Sequence, residues 1–204
     1  RAADGELAIL YKRIGRGTDV LATLPAGTRL SLMGPLGNGF PLAAGDGTPI
    51  LVGGGYGVAP LVFLASRLPC KGAVLLGGRR AADVLCADDF AALGWPVEVA
   101  TQDGSLGTEG LVTDLLDRHL AAAEPRPELF ACGPDGMLRA VGSRAVAAGC
   151  RAWLSLDHHM VCGIGACLAC VQQVRGADGG IRIARVCKDG PIFEARDIIW
   201  EDPA

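Results

Sequence analysis

The chain has 204 residues, of which 50% are hydrophobic and 20% are charged, and its formal net charge at neutral pH is −3. This length fits two small domains, because single cores usually divide into units of roughly 100 to 150 residues, and the composition excludes a disordered chain. The balanced charge excludes nucleic acid and anionic membrane surfaces as expected partners, since both require clustered Lys and Arg.

Residues 1–44 have the pattern of a small β domain. Two short apolar runs bounded by Gly or Pro, residues 7–12 and 29–33, predict strands. Between them Thr18 and Asp19 are candidates to cap a short helix that runs to Leu24 and is ended by Pro25 and Gly27. The first residue is Arg and not Met, so we expect the start of this β domain to lie upstream of residue 1.

Residues 45–152 show a different pattern, in which apolar strands alternate with helical stretches. This alternation predicts a parallel sheet, and the unbroken apolar strands indicate that helices cover both faces. The longest apolar stretch, residues 49–68, is not a spanning helix, because three consecutive glycines and a proline interrupt it. The predicted elements of this domain are residues 49–55, 59–68, 73–78, 86–94, 97–103, 111–120, 128–133 and 137–149.

Glycines follow two of the predicted strands. The first strand is followed, before the next helix, by Gly53, Gly54, Gly55 and Gly57. Such a loop lets a pyrophosphate approach the backbone and the N-terminus of the helix, although it is also typical of a tight strand-to-helix turn. A later strand ends in Cys132, Gly133 and Pro134. Because ligands bind beyond the carboxyl ends of such strands, the two ends together predict one nicotinamide nucleotide site.

Two further features bear on this nucleotide site. Cys132 is a candidate for a position beside the nicotinamide ring, where a small side chain permits close approach; its other reading is a small core residue. Arg79 and Arg80 follow a third predicted strand. They favour a 2′-phosphate if they face the adenosine ribose, but a solvated surface pair is equally compatible. The choice between NAD and NADP therefore stays open.

Residues 153–204 contain four clustered cysteines. Cys162, Cys167 and Cys170 are separated by four and then two residues, and Cys187 follows after sixteen more. This spacing is close to that of plant-type [2Fe–2S] proteins. Four cysteines also form structural zinc sites, but zinc ligands usually come as two short two-cysteine hooks. The pattern therefore favours an iron–sulfur cluster.

The residues around these cysteines agree with a cluster. Gly163 and Gly165 allow the loop to fold tightly and to present backbone N–H groups to the sulfurs. The remaining cysteines are scattered along the chain: Cys70, Cys86, Cys132 and Cys150. Because no signal peptide is visible, we expect reduced thiols and a cytoplasmic location.

The order of motifs along the chain resembles a known family. The motifs are LYK, GRGT, GPLGNGF, GGGYGVAP, QDGSLGTEG, ACGPDGM, CGIGACLAC and RVCKDGPIF. Over nearly the whole chain they are similar to those of the electron-transfer subunits of class 1B dihydroorotate dehydrogenases, a branch of the ferredoxin-reductase-like flavoproteins. The resemblance implies an α/β protein with part of an FAD-binding β-barrel (1–44), a parallel-sheet NAD-binding domain (45–152) and a small [2Fe–2S] domain (153–204).

The resemblance also implies cofactor-binding residues. Those expected at FAD are Leu10, Tyr11, Lys12, Gly17 and Thr18, the last two at its pyrophosphate, which suits a helix start. NAD is expected at the glycine loop and at residues 132–134, and the [2Fe–2S] cluster at the four clustered cysteines. No catalytic side chain is expected, because such a protein positions cofactors rather than performing acid–base chemistry.

The implied function lies in pyrimidine biosynthesis. An FMN-containing catalytic subunit would oxidise dihydroorotate, and electrons would pass through the [2Fe–2S] cluster and FAD to NAD+. The expected assembly is a heterotetramer of two plus two subunits. Two other functions stay open: a reductase subunit of an oxygenase or hydrogenase-like complex, and a zinc-stabilised module that only binds a nucleotide.

The sequence departs from the family at two places. The family's Arg-x-x-Ser motif, which anchors the flavin, and the first half of the barrel are expected before residue 1. His158 and His159 replace an acidic and basic pair; they either tune the cluster's surroundings or are exposed loop residues. The apolar residues Ile164 and Leu168 are candidates for contact with the partner, or shield the cluster from water.

Overall fold

The computed structural model describes residues 2–3, 5–42, 47–122 and 126–200. The helices are α1 (Arg16–Thr23), α2 (Val58–Ala65), α3 (Ala87–Ala92), α4 (Val112–Ala122), α5 (Asp135–Ala147) and α6 (Val186–Asp189). The strands are β1 (Ala2–Ala3), β2 (Glu6–Leu7), β3 (Pro49–Gly54), β4 (Ala73–Gly78), β5 (Val97–Thr101), β6 (Thr108–Glu109), β7 (Glu128–Cys132), β8 (Arg151–Ser155), β9 (Val171–Arg175), β10 (Ile181–Arg185) and β11 (Ile192–Glu194).

A seven-stranded sheet forms the centre of the fold, with strand order β11-β8-β7-β3-β4-β5-β6. All its neighbouring strands are parallel except β11, which pairs antiparallel with β8. Each predicted strand and helix between residues 49 and 149 corresponds to one of these elements. The predicted α/β class with a parallel sheet is confirmed.

Helices cover both faces of the sheet. Successive residues of a strand point to opposite faces, so neighbouring residues of β3 pack against different helices. Leu51 is fully buried in a cluster with α2 and α3, whereas its neighbours Ile50 and Val52 lie in a second cluster with α4 and α5. The second cluster continues through Phe193 and Ile198. The cysteine-bearing segment therefore shares a core with the sheet.

The N-terminal segment differs from the sequence-based expectation. The strands predicted at residues 7–12 and 29–33 are wrong. Of the first run only Leu7 is paired, as part of β2 with β1, and residues 29–33 are irregular and exposed. An apolar run becomes a strand only when a neighbour accepts and donates its backbone hydrogen bonds. The helix predicted from Thr18 to Leu24 is present as α1, but begins earlier, at Arg16.

The C-terminal segment consists of an antiparallel hairpin, β9 with β10, followed by α6 and β11. The domain boundary predicted at residue 152 falls within β8, and the one at residues 44–45 lies outside the described residues. The three-domain division stays a prediction. None of the helices in the described ranges has the length and apolar character that crossing a membrane requires.

Candidate nucleotide crevice and cysteine centre

The candidate nucleotide crevice lies where the carboxyl ends of the parallel strands meet. β3 pairs with β7 so that Gly53 lies opposite Cys132, and with β4 so that Gly54 lies opposite Gly77. Strand order reverses at β3, since β4 and β5 follow on one side and β7 and β8 on the other. Open α/β sheets bind ligands at such a switch point. The structure thus brings together the two glycine-bearing strand ends that the sequence singled out.

The four glycines of the first strand end have different surroundings. A Cβ atom on Gly53 or Gly54 would lie 2.9 Å from a side chain of α2 or α5, respectively. On Gly57 it would lie 2.5 Å from the carbonyl oxygen of Cys132, so this glycine lets the two strand-end loops touch. Gly55 has φ +54° and a Cβ there would meet nothing within 4 Å. Gly55 is therefore the glycine that faces open space, where a ligand can approach the backbone.

Cys132 ends β7 with only 8% of its surface exposed. Burial raises the pKa of its thiol to about 11, an effect that a hydrogen bond with Ser155 partly opposes. The thiol is consequently neutral near neutral pH and is not a nucleophile. A small, neutral side chain at the crevice suits the close approach of a ring, as the sequence-based prediction requires.

The loops after β4 and β5 are tied together by a feature that the sequence analysis did not assign. The Ala81 amide donates to the Ser105 hydroxyl oxygen at 2.7 Å, and that hydroxyl donates to Asp103 Oδ1 at 2.6 Å. The hydrogen bond from the Ser105 side chain lowers the pKa of Asp103. Arg80 lies beside this loop, with its Nε 3.8 Å from Asp83 Oδ2. The Asp-Gly-Ser spacing, typical of side-chain turns, is the signal that predicts this arrangement.

The residues predicted for FAD lie at and before α1. Leu10 and Lys12 are exposed and Tyr11 is half-buried, in an irregular segment. Thr18 does not cap α1 from outside: its hydroxyl oxygen accepts from the amides of Ile14 and Gly15 at 3.0 and 3.3 Å. Its side chain therefore organises the turn.

The backbone at the start of α1 is nevertheless open to a ligand. The first N–H groups of a helix have no partner inside it. A Cβ on Gly17 would meet nothing within 4 Å, so the backbone there is accessible. Backbone amides, rather than the Thr18 hydroxyl, are the groups that this turn offers to a pyrophosphate.

The four clustered cysteines come together as two pairs. Cys162 contacts Cys167 through its side chain, and Cys187 contacts Cys170. Among the described residues, no three His, Cys, Asp or Glu side chains lie close enough to hold one metal ion. A two-iron cluster takes four thiolates, two at each iron, whereas a tetrahedral zinc ion requires four ligands around one point. Two thiolate pairs are the ligand set that a [2Fe–2S] cluster requires.

Backbone amides donate to one sulfur of each pair. The amides of Ala166 and Cys167 donate to Cys162 Sγ at 3.3 and 3.4 Å, and the Cys187 amide donates to Cys170 Sγ at 3.4 Å. The Cys167 amide makes the largest contribution to lowering the pKa of Cys162 to about 6. Positive φ at Gly163, Gly165 and Leu168 (68°, 83° and 58°) gives the loop this inward turn. These amides favour the thiolate form of Cys162, the form that binds iron. At Cys187, by contrast, the hydrogen bond with Cys170 and burial raise the pKa of the thiol.

Arg185 links the cysteine loop to the turn that carries Cys187. Arg185 Nε lies 2.9 Å and Arg185 Nη2 lies 3.1 Å from the two carboxylate oxygens of Asp189, while Nη1 donates to Gly165 O at 3.1 Å. The hydrogen bonds from Arg185 lower the pKa of Asp189 to about 2. One guanidinium thereby connects the loop that contains Cys162, Cys167 and Cys170 to the turn that contains Cys187.

The two histidines that depart from the family pattern have different environments. His159 is exposed, whereas His158 is half-buried in a groove with Asp135, Arg139 and Trp200. Their role stays a matter of prediction.

Fold and site together define a class: a doubly wound sheet with a nucleotide crevice, joined to a cysteine centre of two thiolate pairs, is the architecture of an iron–sulfur oxidoreductase component. Comparison with known proteins supports this class. Residues 157–199 match the family model of the iron–sulfur cluster binding domain of dihydroorotate dehydrogenase B.

Relatives match nearly the whole chain. The chain is 42% identical over 200 residues to the electron transfer subunit of dihydroorotate dehydrogenase B (NAD(+)) from Geobacillus kaustophilus, covering 96% of this chain and 75% of that protein. The subunit from Desulforamulus reducens is 36% identical, with coverage of 97% and 76%. The chain belongs to the family of electron transfer subunits of dihydroorotate dehydrogenase B, and the family predicted from the motifs is confirmed.

A solved structure also matches. It is a chain of the NADH-dependent reduced ferredoxin–NADP oxidoreductase, a structure described for flavin-based electron bifurcation, with a TM-score of 0.80 and 31% identity. The match covers 93% of this chain and 67% of that chain. The agreement includes both the sheet and the cysteine-bearing segment, so it supports the reductase-like fold.

Replacing Arg185 with Ala tests the link between the cysteine loop and the Cys187 turn. We expect the variant to lose a reconstituted cluster about tenfold faster than wild type, because partners behind the ligands typically contribute that much. Visible absorption, with iron and sulfide per chain, measures the loss. Arg182→Ala, an exposed position in the same hairpin, is the control. Equal cluster lifetimes in the two variants would contradict the assignment.

Proposed function

We propose that this chain carries electrons between an FMN-containing dihydroorotate dehydrogenase catalytic subunit and NAD+, through a [2Fe–2S] cluster and FAD, in pyrimidine biosynthesis. The observation that carries the proposal is that one chain joins a nucleotide crevice to four cysteines arranged in two pairs. Relatives named as the electron transfer subunits of the NAD(+)-linked enzyme, 36% to 42% identical, support it.

The flavin, when bound, exchanges a hydride with nicotinamide and single electrons with the cluster, which is the chemistry that side chains do not supply. The chain's own residues position these groups. Gly55 and the start of α2 offer backbone to the nucleotide pyrophosphate, and Gly17 does the same for FAD. Cys132 provides a small, neutral thiol beside the nicotinamide. NAD is assigned over NADP from the relatives' names.

The cysteine segment binds the cluster in this proposal. The pairs Cys162 with Cys167 and Cys170 with Cys187 would hold the cluster through four thiolates, and the cluster would supply one-electron transfer there. Backbone amides donate to Cys162 and Cys170, which stabilises negative charge on the sulfurs. The domain division at residues 44–45 and 152–153 is part of the same proposal.

We place the contact with the catalytic subunit on the apolar surface around the cysteine loop. Val161, Ile164 and Leu168 are 79%, 47% and 60% exposed. Leu168 also has φ +58°, a conformation that leucine rarely adopts. An apolar surface beside a redox centre suits a partner, because docking removes water from both. We infer a heterotetramer of two plus two subunits in the cytoplasm, as in the family that the motifs indicate.

The structural relative supports a second candidate. Its name describes an NADH-dependent reduced ferredoxin–NADP oxidoreductase, so the same architecture also serves a different electron partner. A reductase subunit for another complex would contain the same crevice and cluster. Only the identity of the partner separates the two candidates.

The complete complex tests the function. We expect the protein copurified with its catalytic subunit to reduce NAD+ when dihydroorotate is added. Cys187→Ser is expected to lower this rate about 100-fold by removing a cluster ligand, while NADH-dependent reduction of a small dye by the flavin persists. Cys70→Ser, an exposed cysteine outside the cluster, is the control and keeps the full rate. Full dihydroorotate-dependent activity in Cys187→Ser would overturn the proposed route.

Gly57→Ala tests the nucleotide crevice. The backbone of Gly57 is helical, with φ −62°, so alanine is disfavoured only by the collision of its Cβ with the Cys132 carbonyl. We expect the Kd for NADH to rise about tenfold or more, because the two strand-end loops must separate. Titration of the nucleotide against the holoprotein measures it. Gly136→Ala, where a Cβ meets nothing within 4 Å, is the matched control, and equal affinities in both variants would contradict the site.

Leu168→Ser tests the docking surface. We expect it to weaken association with the catalytic subunit about tenfold, as loss of an interface anchor typically does, while cluster content stays unchanged. Analytical ultracentrifugation or surface plasmon resonance measures the Kd of the complex with the catalytic subunit. Leu111→Ser, at an exposed leucine of the α/β domain, is the control. If Leu168→Ser binds the subunit normally but loses its cluster faster, the residue shields the cluster and does not dock the partner.

A further inference from the structure

The motif GPLGNGF, residues 34–40, has no role in the function as proposed so far, and the structure gives it one. The side-chain amide of Asn38 donates to the carbonyl oxygens of Asp189 and Lys188 at 3.1 and 3.4 Å. The backbone amide of Asn38 donates to the carbonyl oxygen of Gly190 at 2.6 Å. Asn38 also forms a parallel bridge with Pro191. Its contacts thus reach successive residues of the turn that directly follows Cys187.

Asn38 binds backbone atoms of this turn. Its two side-chain N–H groups meet carbonyl oxygens at the end of α6, the short helix that contains Cys187. Carbonyls at a helix end have no partner inside the helix. An amide side chain satisfies them, whereas a carboxylate would present only acceptors to them.

The other end of the motif is fixed to the sheet. Phe40 packs edge-to-face on Phe130 of β7, with ring centroids 5.9 Å apart. Phe130 and Cys132 share a face of β7 and belong to the same buried cluster. The loop 37–40 therefore contacts, over a few residues, both the strand that ends in the nucleotide crevice and the turn of the fourth cluster ligand.

The close fit of this loop leaves little freedom. Gly37 has φ +67°, and a Cβ there would collide with the Gly190 carbonyl oxygen. The turn is also fixed by the Asp189 carboxylate, which accepts from Arg185. The 187–190 turn is consequently held by both Asn38 and Arg185.

We propose that Asn38 is a positioning residue, which fixes the Cys187 turn relative to β7 and thereby sets the geometry between the cluster and the flavin–nucleotide side of the protein. It touches no cofactor in this assignment and acts through the turn. The part concerning electron flow rests on the proposed function; the part concerning the position of the turn does not.

Asn38→Ala removes both side-chain donors, and Asn38→Asp replaces them with acceptors at nearly the same size. In the holoprotein we expect peptide hydrogen exchange of residues 185–192 to accelerate about tenfold in both variants, with Asn38→Asp the more affected. The electron paramagnetic resonance signal of the dithionite-reduced cluster is expected to broaden or shift. Leu36→Ala, an exposed residue of the same loop, is the matched control and stays like wild type in both measurements.

Stopped-flow kinetics separates positioning from general destabilisation. We expect NADH to reduce the flavin at the wild-type rate in Asn38→Ala, while the following reduction of the cluster slows about tenfold per intact cluster. If exchange, resonance signal and cluster reduction all match wild type, Asn38 has no positioning role. If exchange accelerates but the rate per intact cluster is unchanged, the residue only stabilises the fold and the proposal is overturned.

The proposed function can fail independently of this inference. The function would be overturned if the wild-type protein took up no cluster, or if added NADH did not reduce its bound flavin. Hydrogen exchange of residues 185–192 in Asn38→Ala against Leu36→Ala would still decide whether Asn38 fixes the turn.

Discussion

The position of the Cys187 turn is the constraint on which the rest of this molecule depends. Cys162, Cys167 and Cys170 lie in one loop, and Cys187, the fourth proposed cluster ligand, reaches them only because the chain turns back after β10. Arg185 links that turn to the loop through the Gly165 carbonyl, and Asn38 meets it from the N-terminal segment. The cysteine centre is thus assembled from three separate stretches of sequence, so its integrity reports on how all of them pack.

The same packing relates the cysteine centre to the nucleotide crevice. β8 extends the parallel sheet beside β7, and β11, which follows the Cys187 turn, returns to pair with β8. The crevice forms at the ends of β3 and β7, where Gly57 allows the backbones to touch. A protein that passes electrons from one site to another requires such a fixed relation, since misplacement by about 1 Å is enough to slow a reaction step.

Glycine and small side chains have several distinct tasks in this fold. Gly57 permits contact between two loops, Gly55 leaves space for a ligand, and Gly165 turns the cysteine loop inward.

The cysteines differ in their surroundings. Cys132 is a buried neutral thiol, whereas the Cys162 thiol has a lowered pKa because backbone amides donate to its sulfur. The chemistry of each cysteine follows from its surroundings, and the residue type alone does not set it.

Local pattern determined much of this protein. Alternating apolar strands and helices predicted the parallel sheet, because this periodicity depends on neighbours close in sequence. The spacing of Cys162, Cys167, Cys170 and Cys187 predicted the kind of cluster, because the ligand set of a cluster is fixed by its chemistry. Tertiary structure alone decided which glycine faces open space and that Asn38 meets a turn 150 residues away. It also decided that the run at 29–33 is no strand, because a strand exists only where another segment lies beside it. Such contacts depend on which distant segments meet, and a one-dimensional pattern does not contain that information.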